Sequence, residues 1–189
     1  MTTDREALAM RQKVKDLMIG LSEIAVIDEN STIFEAVLRI GIARNQHPGA
    51  MRCPVALVAD SENNVAGFLE FRNLLGGLDP GYVEFAESAK KSGFSSETIR
   101  SEMQKHGLLE EALEAVCRKA GEASIKTLVT IPEDGQTTSS EASINEAIYQ
   151  MIVAGKDYLC VKDGRAVVGL ISLSDILGHI CDTVKSCRM

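Results

Sequence analysis

Polar and apolar positions along the chain follow a pattern that occurs twice. Val14-Lys15-Asp16-Leu17-Met18 returns 111 residues later as Ile125-Lys126-Thr127-Leu128-Val129, and in the same frame Ile33, Glu35 and Ala36 fall on Ile144, Glu146 and Ala147. A repeat of this length constrains the fold more than any local propensity does. Both copies contain a hydroxyl residue three places before a glutamate, in Thr32-Ile33-Phe34-Glu35 and Ser143-Ile144-Asn145-Glu146. This is the pattern of a capping box, in which the hydroxyl accepts from the N3 amide and the carboxylate reaches back to the cap. Each box opens an amphipathic helix. Ile33, Ala36, Val37 and Ile40 keep the i, i+3, i+4, i+7 spacing in the first copy, as do Ile144, Ala147, Ile148 and Met151 in the second.

After each helix the pattern predicts a hairpin. Apolar runs at Pro54 to Val58 and Tyr158 to Val161 lead into polar turns, Ser61-Glu62-Asn63-Asn64 and Lys162-Asp163-Gly164-Arg165, and second strands come next at Val65 to Phe71 and Ala166 to Ser172. Here the copies realign at an offset of 102, with Val65, Gly67, Leu75 and Gly76 on Val167, Gly169, Leu177 and Gly178. The change of offset is absorbed mainly by a longer loop in the first copy, residues 44–52. With leading strands at Glu23 to Ile27 and Gln136 to Ser139, each copy reads β-α-β-β-α and runs into a closing helix. The chain therefore divides into an arm (1–13), a first repeat (14–78), an insertion (79–122) and a second repeat (123–189). The insertion reads as helical. Asp79-Pro80 is a cap followed by proline at N1, Gly93 and Gly107 stand where helices stop, and Leu109, Ala112, Leu113 and Val116 form a stripe.

Composition narrows the functional classes. With 189 residues and 45% hydrophobic content the chain can build a core, and its formal net charge of −7 offers no basic stripe for a nucleic-acid backbone. Aromatic residues are too few for base-stacking platforms. No apolar run reaches the roughly 18 residues of a membrane span, and the first residues carry charges of both signs, unlike a signal peptide. These features predict a cytoplasmic, membrane-free protein. The five cysteines, with no Cys-x-x-Cys pair, suit reduced thiols. A catalytic reading needs a nucleophile with its base, a metal set or a phosphate loop, and the sequence has none of their patterns. His47, His106 and His179 share no ligand-like spacing. The expectation is a protein that is not an enzyme and requires no cofactor.

Taken together and in order, the Val-Lys-Asp-Leu-Met opening, the capped helix, Cys53-Pro54-Val55 or Leu159-Cys160-Val161 on the hairpin strand, and the Gly-φ-φ-(Ser/Thr)-x-x-Asp corner resemble the tandem cystathionine-β-synthase-type (CBS) domain pair, or Bateman module. The similarity covers roughly residues 14–78 and 124–185. It implies an α/β (α+β) fold in which two β-α-β-β-α repeats meet through their sheets about a pseudo-two-fold axis, with two clefts between them and a helical insertion. It also implies a homodimer. In function, it implies a standalone regulatory protein that senses an adenosine-containing ligand (AMP, ADP, ATP or S-adenosylmethionine) in the inter-repeat cleft and signals by conformational change to an unknown regulated protein. The alternative is a ligand-independent dimeric adaptor.

The chemistry concentrates where Gly169–Leu177 passes from strand to helix. Ser172-x-x-Asp175 is a plain capping box on one reading. On the other, the helix start presents unpaired amides and partial positive charge to an anion, Ser172 donates to a phosphate, and Asp175 accepts from a ribose diol. By resemblance the pocket would be completed by Thr130 and Ile131 after the opening segment and by Lys156, Asp157 and Tyr158 before the strand. In the first repeat Glu70 and Asn73 take the two polar positions, forming a weaker site. Glu70 would set a carboxylate against a phosphate at a cost of about 1 to 4 kcal/mol, which predicts an empty or altered first cleft unless Arg72 or Arg52 compensates.

Overall fold

The computed structural model describes residues 12–47, 53–92, 95–105 and 113–187. Most of the arm, much of the 44–52 loop, Arg52, Gly93, Gly107, Leu109 and Ala112 lie outside the described residues, as do the side chains of Leu113 and Val116. The strands are β1 (Ile19–Gly20), β2 (Val26–Asp28), β3 (Val55–Ala59), β4 (Val65–Glu70), β5 (Thr137–Ser139), β6 (Tyr158–Asp163) and β7 (Ala166–Ser172). The helices are α1 (Ile33–Gln46), α2 (Phe71–Gly77), α3 (Pro80–Ser92), α4 (Ser96–Lys105), α5 (Leu113–Ala120), α6 (Ile144–Ala154) and α7 (Leu173–Cys187). The mixed α/β fold with two small sheets is the one expected of the repeats.

The leading strand of the first copy differs from the expected Glu23 to Ile27. Residues Leu21–Glu23 form a 3-10 turn and the strand is Val26–Asp28. The first closing helix starts at Phe71, the last residue of the strand expected at Val65 to Phe71.

The chain forms two compact units that do not coincide with the contiguous repeats. One unit takes the residues up to Ala25, Ile42–Pro54, and everything from Ile131 on; the other takes Val26–Gly41 and Val55–Thr130. The opening segment of each copy thus packs in the unit of the other, as a strand on β7 in one case and through isolated bridges in the other.

In the unit of the second repeat the strand order is β1-β7-β6-β5, with β5 and β6 parallel and the other pairs antiparallel. Val14, Ala147, Met151, Leu159, Val161, Ile171 and Ile176 form its core, so the opening segment contributes directly to the apolar interior. The start of α6 is tied to the same segment. Val14 N donates to Ala142 O (2.9 Å) and Ile144 N to Gln12 O (3.2 Å). Lys13 and Lys15 both reach Glu141, the latter at 2.6 Å.

The unit of the first repeat has the order β2-β3-β4, with β2 and β3 parallel and β3 and β4 antiparallel. Val55 to Ala59 are all buried, the near-continuous apolar run of a strand covered on both faces. The start of α1 is held by residues 121–125. Ile33 N donates to Ala123 O (2.8 Å), Phe34 N to Gly121 O (3.1 Å), and Ile125 N to Ser31 O (3.1 Å).

The two crossings obey the sequence repeat. Ile19 pairs with Leu170 on β7, and Thr130, 111 residues after Ile19, bridges Phe68 on β4, 102 residues before Leu170. A glycine stands beside each crossing. A Cβ on Gly169 would lie 2.3 Å from Ile19 O, and one on Gly67 would lie 2.6 Å from Val129 Cγ1 and 2.9 Å from Thr130 O. Backbone and a packed side chain leave no room there for any other residue.

Gly169→Val or Gly67→Val is therefore expected to lower stability by roughly 1–3 kcal/mol, measured as a shift in the urea midpoint. Gly178→Ala, where a Cβ meets nothing within 4 Å inside α7, is expected to raise it by about 0.5–1 kcal/mol. Equal effects at all three positions would dismiss the crossing argument. The two lysines hold the Glu141 carboxyl down to about 2, so its contribution is present above the ordinary carboxylate range and is lost as pH falls from about 4.5 to 2. Protection of the Val14 and Lys15 amides from hydrogen exchange should fall over that range in the parent and show no such step in Glu141→Gln.

Candidate functional site

β7 passes into α7 without a loop, so the strand's last residue is also the helix cap. Ser172 Oγ accepts from Asp175 N (3.2 Å) and donates to Asp175 Oδ2 (2.5 Å), while Ser172 N donates to the same carboxylate oxygen (3.3 Å). The corner is thus a complete capping box, with Ser172 only 1% and Asp175 5% exposed. Such a box satisfies two orphan donors of the first helical turn.

The neighbouring strand brings further predicted residues to this corner. Tyr158 stands opposite Ser172 in the β6–β7 register and is buried. Leu173 N donates to Asp157 O at 2.9 Å, which fastens the first turn of α7 to the chain just before β6. Lys156 precedes them, its amide donating to Met151 O (3.1 Å) after the left-handed cap of α6 at Gly155, φ +60°. Ser172, Asp175, Asp157 and Tyr158 therefore converge. Ile131 belongs to the same unit but is 78% exposed. Thr130 belongs to the other unit, where its hydroxyl donates to Phe68 O at 3.3 Å.

Sequence reasoning missed Cys53 as a neighbour of this corner. It is buried, and both burial and, secondarily, the charge of Asp175 push its thiol well above the ordinary range. Its sequence signal was only the start of an apolar strand, which says nothing about Asp175. Burial likewise pushes the Cys160 thiol up to about 11, against the opposing effect of Lys162. Both thiols are held in the protonated form, the state of an inert core cysteine.

The first-repeat corner is built differently. Glu70 occupies the cap position of α2, with no side-chain cap hydrogen bond, and Asn73 Nδ2 donates to Leu128 O at 3.3 Å. Arg72 is exposed. Asn73 thus fastens the 123–130 segment to its own unit. Among the described residues no group of three or more His, Cys, Asp and Glu can hold a metal ion, and no helix is long and apolar enough to cross a membrane.

Comparison with known proteins agrees with this architecture. Residues 120–182 match the family model of the CBS domain. Among solved structures, a CBS domain-containing protein of unknown function from Bacillus anthracis aligns with a TM-score of 0.60 at 15% identity, covering 94% of this chain and 98% of its own. The CBS domain of a CBS domain-containing membrane protein from Sphaerobacter thermophilus gives 0.57 at 18% identity, covering 93% of each chain. A putative acetoin utilization protein from Vibrio cholerae gives 0.55 at 15%, covering 94% and 96%. No curated protein matches the sequence.

Ser172→Ala removes the acceptor for Asp175 N and the hydroxyl donor to a buried carboxylate. It is expected to cost roughly 1–3 kcal/mol in urea unfolding, with Ser172→Thr recovering most of the loss. An Ala variant as stable as the parent would show that the hydroxyl contributes nothing as a cap.

Proposed function

Because residues 120–182 match the CBS domain and the whole chain has the fold of CBS-domain proteins, we propose that it is a regulatory module that binds an adenosine-containing ligand at the second repeat's strand-to-helix corner and signals by changing conformation. AMP, ADP, ATP and S-adenosylmethionine are the candidate ligands, and the protein acts in the cytoplasm on a separate target, without catalysis of its own. The observation that carries this reading is the convergence of the Ser172 hydroxyl, the Asp175 carboxylate, Asp157 and Tyr158 at the start of a 15-residue helix.

The physical logic is an exchange of partners. A phosphate at the start of α7 takes the Ser172 hydroxyl, and a ribose diol donates to the Asp175 carboxylate that the hydroxyl leaves behind. The ligand thereby replaces the capping box with its own hydrogen bonds. It shifts the population toward whichever arrangement of this corner binds it better, and by no more than the difference in affinity. The carboxylate of Glu70 leaves the first repeat without the equivalent chemistry.

One observation favours a second reading, a dimeric interaction module indifferent to ligand. The 2.5 Å Ser172–Asp175 bond already joins both groups, while α6 and α7 expose Tyr149, Ile152, Val153, Leu177 and Val184, each at least half accessible. Apolar faces of this kind suit a second copy of the chain, and a homodimer belongs to both readings.

A thermal-shift panel with the four ligands separates the readings, since a ligand at 100 times its Kd stabilises by about 2.7 kcal/mol. The sensor reading expects a shift with at least one of them, its loss in Asp175→Asn, and one bound ligand per chain by calorimetry. No shift with any ligand would leave the ligand-independent reading. Two ligands per chain would overturn the argument from Glu70.

A further inference from the structure

A cavity of about 1110 Å³ lies in the unit of the first repeat, walled by α2, by the inserted helix α3 and by residues 123–130. It borders the first repeat's strand-to-helix corner, since Arg72, Asn73 and Thr130 line it while Glu70 and β3 do not, and it is distinct from the second repeat's corner proposed for the adenosine ligand. One wall is firmly anchored. Asn73 holds Leu128 O, Thr130 bridges Phe68, and α2 approaches so closely that a Cβ on Gly77 would lie 2.5 Å from Leu128 Cδ1. The other wall is specific to this chain's insertion. Asp79 caps α3, its carboxylate accepting from Gly81 N at 2.7 Å, which places the first turn of that helix over the end of α2.

The lining has a defined chemistry. Leu75, Leu78, Leu128 and Tyr82 supply an apolar surface, and Leu75 is 61% exposed although it stands on this wall. Four charged residues also line it. Lys90 and Glu87 pair with each other at 2.9 Å. Arg72 makes no ion pair among the described residues, and Glu84 adds a second carboxylate on α3. Two carboxylates disfavour a polyanion such as a nucleotide phosphate chain, whereas one unpaired guanidinium suits a single carboxylate, which its fork geometry matches. The volume is ample for a ligand of drug size.

We propose that this cavity binds an amphiphilic monocarboxylate, with its hydrocarbon part over Leu75, Leu78, Leu128 and Tyr82 and its carboxylate on the Arg72 guanidinium. The insertion then serves as the chain's second ligand-binding element, independent of the adenosine site. An apolar ligand covers the exposed side of Leu75 and links α3 to α2. A charged head requirement makes binding salt-sensitive and selective against the uncharged analogue.

The test uses the full chain and the fluorescent fatty acid 11-(dansylamino)undecanoic acid, followed by displacement with dodecanoate or dodecanol. Saturable binding of one probe per chain is expected, with dodecanoate displacing it at a concentration about tenfold lower than dodecanol. Arg72→Ala should weaken the probe about tenfold, and Ala86→Trp, which fills the cavity from α3, should abolish the signal, both at unchanged thermal midpoint. Saturating AMP or ATP should leave the probe bound. Absence of saturable binding, parental affinity in both variants, or equal displacement by alcohol and acid would overturn the proposal. Displacement by nucleotide would overturn it too, by assigning the cavity to the adenosine ligand.

Discussion

Each sheet receives a segment of the other repeat under one steric condition, that its backbone can lie against a glycine. At Gly169 the carbonyl of Ile19 occupies the space of a Cβ, and at Gly67 Val129 and Thr130 do the same. The segments that cross there also supply core and cap. Val14 enters the apolar core of the second repeat's unit, and the 121–125 backbone receives the first amides of α1. A helix start leaves several amides unsatisfied, so these contacts fix where α1 and α6 begin. If a side chain displaced the crossing strand, a core residue and a helix cap would be lost together. The cost would therefore exceed that of one missing hydrogen-bonded pair.

On the proposed reading, one set of atoms at the second corner serves both stability and recognition. A capping serine and an N3 aspartate need a hydroxyl and a carboxylate within hydrogen-bond reach of each other and of the backbone. A nucleotide needs the same two groups at the same helix start. The two demands compete for the same lone pairs and the same proton. In the structure the cap holds them, and a ligand that displaces the cap must offer hydrogen bonds at least as good. That competition would connect binding to the position of α7. A site whose polar groups were idle before binding would have no such lever.

Much of this was legible in the chain itself. The capping boxes at Thr32 and Ser143, the α6 stripe of Ile144, Ala147 and Met151, and the β6–β7 hairpin come from spacing alone and recur in the structure. The exchange of opening segments was not legible, because the offsets reveal that Ile19 and Thr130 are equivalent positions without saying which sheet each one joins. The 3-10 turn at Leu21–Glu23 escaped for a related reason. An apolar run such as Ile24 to Ile27 looks the same whether the residues leading into it pair in a ladder or pack from a turn. The proximity of Cys53 to Asp175 depends on tertiary structure alone, and no local pattern encodes it. The insertion was readable as helix from Asp79-Pro80, but the cavity it makes with α2 depends on how closely Gly77 approaches Leu128.

The two repeats have diverged at the point where their closing helices begin, and the divergence is physical rather than a matter of degree. In the second, Ser172 caps a helix of 15 residues, whose aligned peptide dipoles favour an anion at its start once the cap gives way. In the first, Glu70 makes no side-chain cap bond, α2 lasts only 7 residues, and Asn73 turns to Leu128. A short helix with a carboxylate at its cap position is poorly suited to hold a phosphate. Its early end at Gly77, however, frees the chain to turn into α3 and enclose apolar surface beside Arg72. Loss of the anion-friendly start and gain of the cavity thus share one local origin. On the two proposals, the repeats would then take ligands of different polarity: a hydrogen-bonded nucleoside in the second and a largely apolar acid in the first.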